Sequence, residues 1–230
     1  MSKTRLMTAA PTWLTVVLAG LLLTGCGSAA PGVAVQVGDE VLSVRHVDSV
    51  TANYCTALGD LESEVPMSFV RQYVVQLLTL RSQASQIADD YGVEPGSTYR
   101  NDVAQHQGTA GTKPEEVRED YVELASAAAY AQDILDQVGR IVLEEDGVVD
   151  PTVEETTQAG IDVFNQWPDA HGIEIDPRYG LDSVDGVLTP VDTNTSVAVG
   201  ETAKSGLATD PDPAFAQTLP LTHRCGGAVS

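Results

Sequence analysis

The chain has 230 residues, of which 33 are acidic and 12 basic, for a formal net charge of −21 at pH 7. So acidic a balance argues against nucleic acid and anionic lipid headgroups as partners, and it favours solubility without specifying a fold. The length suits one domain, or one domain with a tail, and leaves no evident second catalytic domain.

Lys3 and Arg5 open an apolar run over 13–23 that ends in Leu23-Thr24-Gly25-Cys26. A basic start, an apolar core and small residues before a cleavage point are the parts of a secretory signal. The cysteine makes this one resemble the lipobox of bacterial lipoproteins. That resemblance implies diacylglycerol on the Cys26 sulfur, cleavage after Gly25, and a mature chain held by lipid on the extracytoplasmic face of a cell membrane. Residues 1–25 are then the signal peptide and 26–32 a lipidated linker. The alternative is a transmembrane helix, which needs about 20 apolar residues; here Thr15, Gly20 and Thr24 interrupt the run. Removing 1–25 takes away two basic residues and no acidic ones, so the mature chain carries ten cations against 33 carboxylates, or −23.

Val33, Val35 and Val37 alternate with Ala34 and Gln36, the two-residue period of a half-buried strand. Gly38-Asp39 supplies a turn and 40–42 a return strand. Ser43 then serves as N-cap for a helix whose Val44, Val47, Thr51, Tyr54 or Cys55, and Leu58 recur at steps of three and four, ending near Gly59. Cys55 falls on or beside its buried stripe. The strongest periodicity follows: Val70, Tyr73, Leu77, Leu80, Ala84, Ile87 and Tyr91, opened by Pro66 and closed by Gly92. Phe69, Val74, Leu78 and Ala88 widen the stripe, which predicts a central helix with more than one neighbour. Its Phe69, Tyr73 and Leu77 are candidates for a ligand groove, although a stripe at this spacing also reads as core.

Glu94-Pro95-Gly96 breaks the chain, Ser97 caps a short helix through Gln105, and 107–111 reads as loop. Thr112 and Glu115 have capping-box spacing, ahead of one helix carrying Val117, Tyr121, Leu124, Ala128, Ala131, Leu135 and Val138. Thr152 and Glu155 repeat the box before a helix with Ile161, Phe164 and Trp167 that stops at Pro168. Gly160 weakens that helix by about 1 kcal/mol relative to alanine. Ile173 and Ile175 alternate in a short strand ended by Pro177, suited to pair with the strand at 33–37. From Asp182 onward Gly, Thr, Ser, Asp and Pro dominate, so 182–230 reads as an extended, low-complexity tail. The fold class is therefore mainly α (α+β): four to five helices over a very small sheet, with an irregular C-terminal tail.

With Cys26 committed to lipid, Cys55 and Cys225 form an even pair outside the cytoplasm and suggest a disulfide. Closing that loop is worth about 4–5 kcal/mol in the chain-entropy treatment, and it docks the tail. Two unpaired thiols are the alternative. The four histidines are too scattered for a zinc signature, so no metal is expected. There is no Gly-x-Ser-x-Gly nucleophile turn, Walker loop or dinucleotide fingerprint. Neither an enzyme nor a cofactor is expected. Acidic pairs such as Glu144-Glu145 and Glu154-Glu155 read as helix-end decoration in so acidic a chain. In Asp176-Pro177-Arg178-Tyr179-Gly180, Arg178 has the chemistry to hold a carboxylate bidentately, while Pro and Gly equally fit a structural turn.

The order of these elements resembles the N-terminal domain of SurA-type periplasmic chaperones and PrsA-type foldases. The resemblance rests on the strand, polar turn and capped helix of 33–43, on the long helix ending Ala-Asp-Asp-Tyr-Gly-Val before Glu94-Pro95, and on Ile173-Glu174-Ile175-Asp176-Pro177-Arg178-Tyr179-Gly180. It covers about 33–181. Members that isomerise X-Pro bonds carry a parvulin domain before the closing strand; only 141–170 lies there, and a domain needs about 50 residues. The resemblance thus implies a chaperone-like module without isomerase activity, whose partners are unfolded or secreted polypeptides. Phe69, Tyr73, Leu77, Arg178 and Tyr179 are its candidate client-binding residues. A lipoprotein that binds a small ligand or a protein partner is the alternative.

Overall fold

The structure is a computed structural model that describes residues 30–59, 63–184, 187–191 and 213–226. Cys26 and the leader lie outside the described residues. Strand β1 (Val33–Val37) turns at Gly38 into β2 (Glu40–Ser43), and β4 (Ile173–Ile175) pairs on its other side, giving the order β2-β1-β4. Val35 faces Ile175 and Val37 faces Ile173, both antiparallel, so the expected pairing of the early and late strands is present. Gly38 has φ +52, and an added methyl would overlap Gln86 and meet Trp167 at 2.8 Å. Only glycine fits that turn so close to two helices.

Helix α1 (Val44–Ala57) starts where Ser43 Oγ accepts from the His46 amide at 3.1 Å, as the N-cap reading requires. It buries Val47, Val50, Thr51, Tyr54 and Ala57. The two-residue strand β3 (Val65–Pro66) leads into α2 (Met67–Tyr91), whose last carbonyls are capped by Gly92 in the left-handed region at φ +64. Helix α2 is the axis of the molecule. Its side-chain amides reach four separate segments: Gln72 donates to the Tyr179 carbonyl, Gln76 to Leu188, Gln83 to Phe164 and Gln86 to Val37, all within 2.9 Å. Each satisfies a carbonyl that packing against a helix removes from water.

Helix α3 (Ser97–Ala110) extends five residues beyond the predicted Gln105 and takes in most of the stretch read as loop. Gly96, not Ser97, is its N-cap, and Thr112 spends its hydroxyl on the Thr109 carbonyl at 2.9 Å, closing α3. The capping box predicted at Thr112 and Glu115 is therefore absent: Pro114 precedes a 3-10 turn at Glu115–Val117 that runs into α4 (Arg118–Ala125). The single long helix expected from Val117 to Val138 is two helices, because Ser126 interrupts it before α5 (Ala127–Glu145). The buried Ser126 hydroxyl donates to the Val122 carbonyl at 2.7 Å, a back-bond that bends helices.

Helix α6 (Val153–His171) begins with the predicted capping box, Thr152 Oγ1 accepting from the Glu155 amide and Glu155 Oε2 from the Thr152 amide. It continues through Pro168, where the sequence predicts its end. Proline cannot donate to the carbonyl four residues back; that carbonyl, Phe164, is taken by Gln83 at 2.7 Å. Helices α5 and α6 pack closest at Gly139 and Gly160. A methyl on Gly139 would overlap the Thr156 carbonyl, and one on Gly160 the Leu135 carbonyl.

After β4 a 3-10 turn at Pro177–Tyr179 ends at Gly180, φ +59. Of the stretch 182–230 read as an extended tail, the first residues are ordered instead: β5 (Leu181–Val184) and β6 (Val187–Pro190) form a hairpin tied to α2 through Gln76, while 192–212 lies outside the described residues. Among the described C-terminal residues, α7 (Pro213–Thr218) leads to β7 (Arg224–Cys225), which pairs with β3. Arg224 and Glu64 make a half-buried ion pair at 2.8 Å. Cys225 and Cys55 stand at disulfide distance, their Cα atoms 5.5 Å apart. The described core runs from Ala34 to Cys225 and centres on Val35, Val37, Val74, Val75, Ile87, Ile134 and Val138.

Candidate functional site

Helix α3 is polar: Ala110 is its one fully buried residue among fourteen. Tyr99, Val103 and His106 are half-buried along its inner side. A helix held by so few apolar side chains does not close against its neighbours, and an open cleft of about 590 Å³ remains between α3 and α4. Val103, Ala110 and Val122 supply its apolar surface.

Arg81 of α2 reaches into the cleft and is fixed from three directions. Its Nε lies 3.2 Å from Glu123, it donates to the Tyr99 hydroxyl at 3.1 Å, and its guanidinium lies 4.7 Å from the Tyr130 ring centre. Tyr99 meets Tyr130 edge-on at 5.1 Å. A guanidinium held over an aromatic ring and against a carboxylate is an arrangement suited to arginine and not to lysine. Arg118, at the mouth, turns its guanidinium onto the Lys113 and Gly111 carbonyls beyond the end of α3. Glu119 lines the same mouth, exposed and without an ion-pair partner among the described residues. The cleft thus combines an apolar floor, an aromatic wall and a few oriented polar groups.

The residues proposed from the sequence lie elsewhere. Phe69 is half-buried, Tyr73 is 42% exposed beside Tyr54 at 6.0 Å, and Leu77 belongs to the core. Tyr179 is buried, with its carbonyl on Gln72, and Arg178 pairs with Asp176 at 2.8 Å. The backbone turn at Asp176, where the carboxylate accepts from the Arg178 amide, is the structural reading of that segment. None of the five lines the α3–α4 cleft. The sequence offered one signal for the cleft, Gly and Pro at both ends of a weakly amphipathic helix. The meeting of Arg81, Tyr99, Glu123 and Tyr130 is tertiary.

Among the described residues, three side chains titrate away from their ordinary values. Burial, then the neighbouring Tyr73 and Tyr121, pushes the Tyr54 phenol up. Burial also raises Tyr179, with Asp48 adding to it. The Thr152 amide and hydroxyl hold the Glu155 carboxyl below the usual range. No group of His, Cys, Asp and Glu among the described residues has the arrangement to hold a metal ion. No helix among them is long and apolar enough to cross a membrane. A second recess of about 490 Å³ lies at the α5–α6 turn, near the exposed Val149 and Val153. Compared with protein-family models, with curated proteins and with solved structures, the chain matches none.

Proposed function

We propose that this protein is a lipid-anchored, extracytoplasmic, chaperone-like holder of unfolded or newly secreted polypeptide, working by binding without covalent chemistry. The observation that carries the reading is the open α3–α4 cleft, whose roughly 590 Å³ suits a short run of side chains. Its apolar floor shields a client's apolar residues from one another, and the net charge keeps the complex soluble. Cys26 is the lipid attachment point in this reading, and the client site moves from Phe69, Tyr73 and Leu77 to the cleft. The convergence of Arg81, Glu123 and the Tyr99 hydroxyl in the same cleft favours a second reading, a lipoprotein that binds a small ligand.

Light scattering tests the first reading. The chain from Ser28 onward is mixed with a chemically unfolded secreted protein and diluted. Suppression of aggregation at near-stoichiometric ratios, lost when Val103→Trp fills the cleft, is the expected result. A folded protein that suppresses nothing transfers the weight to the small-ligand reading. Membrane fractionation tests the anchor: Cys26→Ala is expected to free the protein, and a variant that still pellets with an uncleaved leader would contradict lipidation.

A further inference from the structure

Helix α3 buries one of its fourteen residues, whereas α1, of the same length, buries five. The inner stripe of α3 is Tyr99, Val103, His106 and Ala110, and only Val103 and Ala110 are wholly apolar. Beside the stripe, Asp102 Oδ2 is removed from water without a hydrogen-bond partner among the described residues, 3.5 Å from His106 Nε2. Seating α3 thus desolvates a carboxylate oxygen and gains little apolar burial. Its two ends, by contrast, are pinned. At the first, the Asp133 carboxylate of α5 accepts from the Gly96 amide, and Gln137 donates to the Glu94 carbonyl at 3.0 Å. At the second, Lys113 donates to the Ala57 carbonyl at the end of α1, and Arg118 to the Gly111 carbonyl. A glycine stands at each pin, where a small residue takes up backbone rotation readily. Between the pins, Tyr99 is the tie to α2 and α5: its hydroxyl accepts from Arg81 at 3.1 Å and its ring meets Tyr130 edge-on. His106 meets Tyr121 of α4 edge-on at 6.3 Å.

We infer that α3 is a lid on the cleft, turning outward about Gly96 and Gly111 and latched shut by Tyr99 on Arg81. Its seat opens far more often than the molecule unfolds, because few apolar contacts have to break. With the lid open, the cleft-lining Val103, Ala110 and Val122 face water together and a segment enters. On return, the occupant supplies the apolar surface that the stripe of α3 lacks. The lid stands on the geometry of α3 itself, and it rests on the polypeptide-holding reading only for what enters beneath it.

Thiol labelling tests it on the full-length chain in phosphatidylcholine nanodiscs, with the unaltered chain as the blank. Ala110→Cys places a thiol under the lid, where Ala110 is 2% exposed, and Ala84→Cys places one in the core face of α2, where Ala84 is fully buried. The rate of coupling to a maleimide dye reports how often each thiol is uncovered. Ala110→Cys is expected to label about a hundredfold faster than Ala84→Cys, as a local opening does. Tyr99→Phe, three turns away along α3, is expected to speed Ala110→Cys about tenfold further by removing one hydrogen bond to a charged group, and to leave Ala84→Cys unchanged. Equal rates at the two thiols would mean that α3 opens only when the whole molecule does, and would overturn the lid. Fast labelling of Ala110→Cys that ignores Tyr99→Phe would mean that the last turn frays by itself, and would overturn it too. Should Ala84→Cys fail to fold, the urea dependence of Ala110→Cys labelling replaces it: a slope near zero is the lid, and a slope equal to that of unfolding overturns it. Fast, Tyr99-sensitive labelling in a chain that suppresses no aggregation keeps the lid and overturns only its polypeptide occupant.

Discussion

Gly160 shows how one residue changes meaning between a line of sequence and a packed molecule. In the sequence it is a helix defect worth about 1 kcal/mol; in the structure it is where α6 comes against the Leu135 carbonyl of α5. Gly160→Ala is accordingly expected to lower the unfolding free energy by about 1–3 kcal/mol, the usual cost of overpacking. Gly108→Ala, on the open side of α3 where an added methyl meets nothing within 4 Å, is expected to raise it by about 0.5–1 kcal/mol. Urea melts of both variants check the pair, and a stabilising Gly160→Ala would refute the close helix contact. Tyr54 carries a second residue-scale prediction. Folding raises its phenol above the ordinary value, so its contribution is complete below about pH 10 and declines as pH rises through the folded-state value. Tyr54→Phe is expected to flatten the alkaline loss of stability above about pH 10. An unchanged slope would mean that Tyr54 ionises as freely in the folded chain as in the unfolded one.

Among the elements, those announced by local chemistry were legible before folding. Ser43, Gly92 and the Thr152–Glu155 box mark helix ends in the sequence and perform those roles in the structure. The box at Thr112 and Glu115 has the same spacing and does not form, because Thr112 is used to finish α3 and Pro114 redirects the chain. Pattern alone cannot tell which of two local partners a threonine hydroxyl takes. Pro168 is the opposite case, a stop signal overridden because Gln83 satisfies the carbonyl that proline abandons. The α6 box also gives a pH dependence. Its Glu155 carboxyl is held below the ordinary value, so the cap is complete above about pH 4.3 and is lost as pH falls through the folded-state value. Amide exchange in the first turn of α6 is expected to accelerate on acidification in the native chain. Glu155→Gln, which keeps an acceptor without a titrating proton, is expected to stay flat; parallel acceleration in both would place the effect outside the box.

At the scale of the molecule, the placing of Cys225 against Cys55 joins residues 170 apart in sequence. It holds β7 against β3 and α7 close by, and so ties the described C-terminal piece to the first and central helices. Reduction is expected to lower stability by about 2–5 kcal/mol, with the chain-entropy value near the top of that range. Thermal melts with and without a phosphine reductant measure it, and alkylation of both thiols in the untreated protein would show that the bond is not made. The sequence by itself determined the helical class, most of the element order, the pairing of the first strand with the late one, and the two cysteines brought together. These follow from hydrophobic period, caps and cysteine count, which are properties of neighbours along the chain. The hairpin after Gly180, the break at Ser126, the glycine contact between α5 and α6, and the cleft itself were decided by tertiary structure. The hairpin, the glycine contact and the cleft depend on groups far away in sequence: Gln76 under the hairpin, Leu135 against Gly160, Arg81 between Glu123 and Tyr130. A cleft forms where α3 has too little apolar surface to close on its neighbours, and that shortfall has no position in the chain until those neighbours are in place.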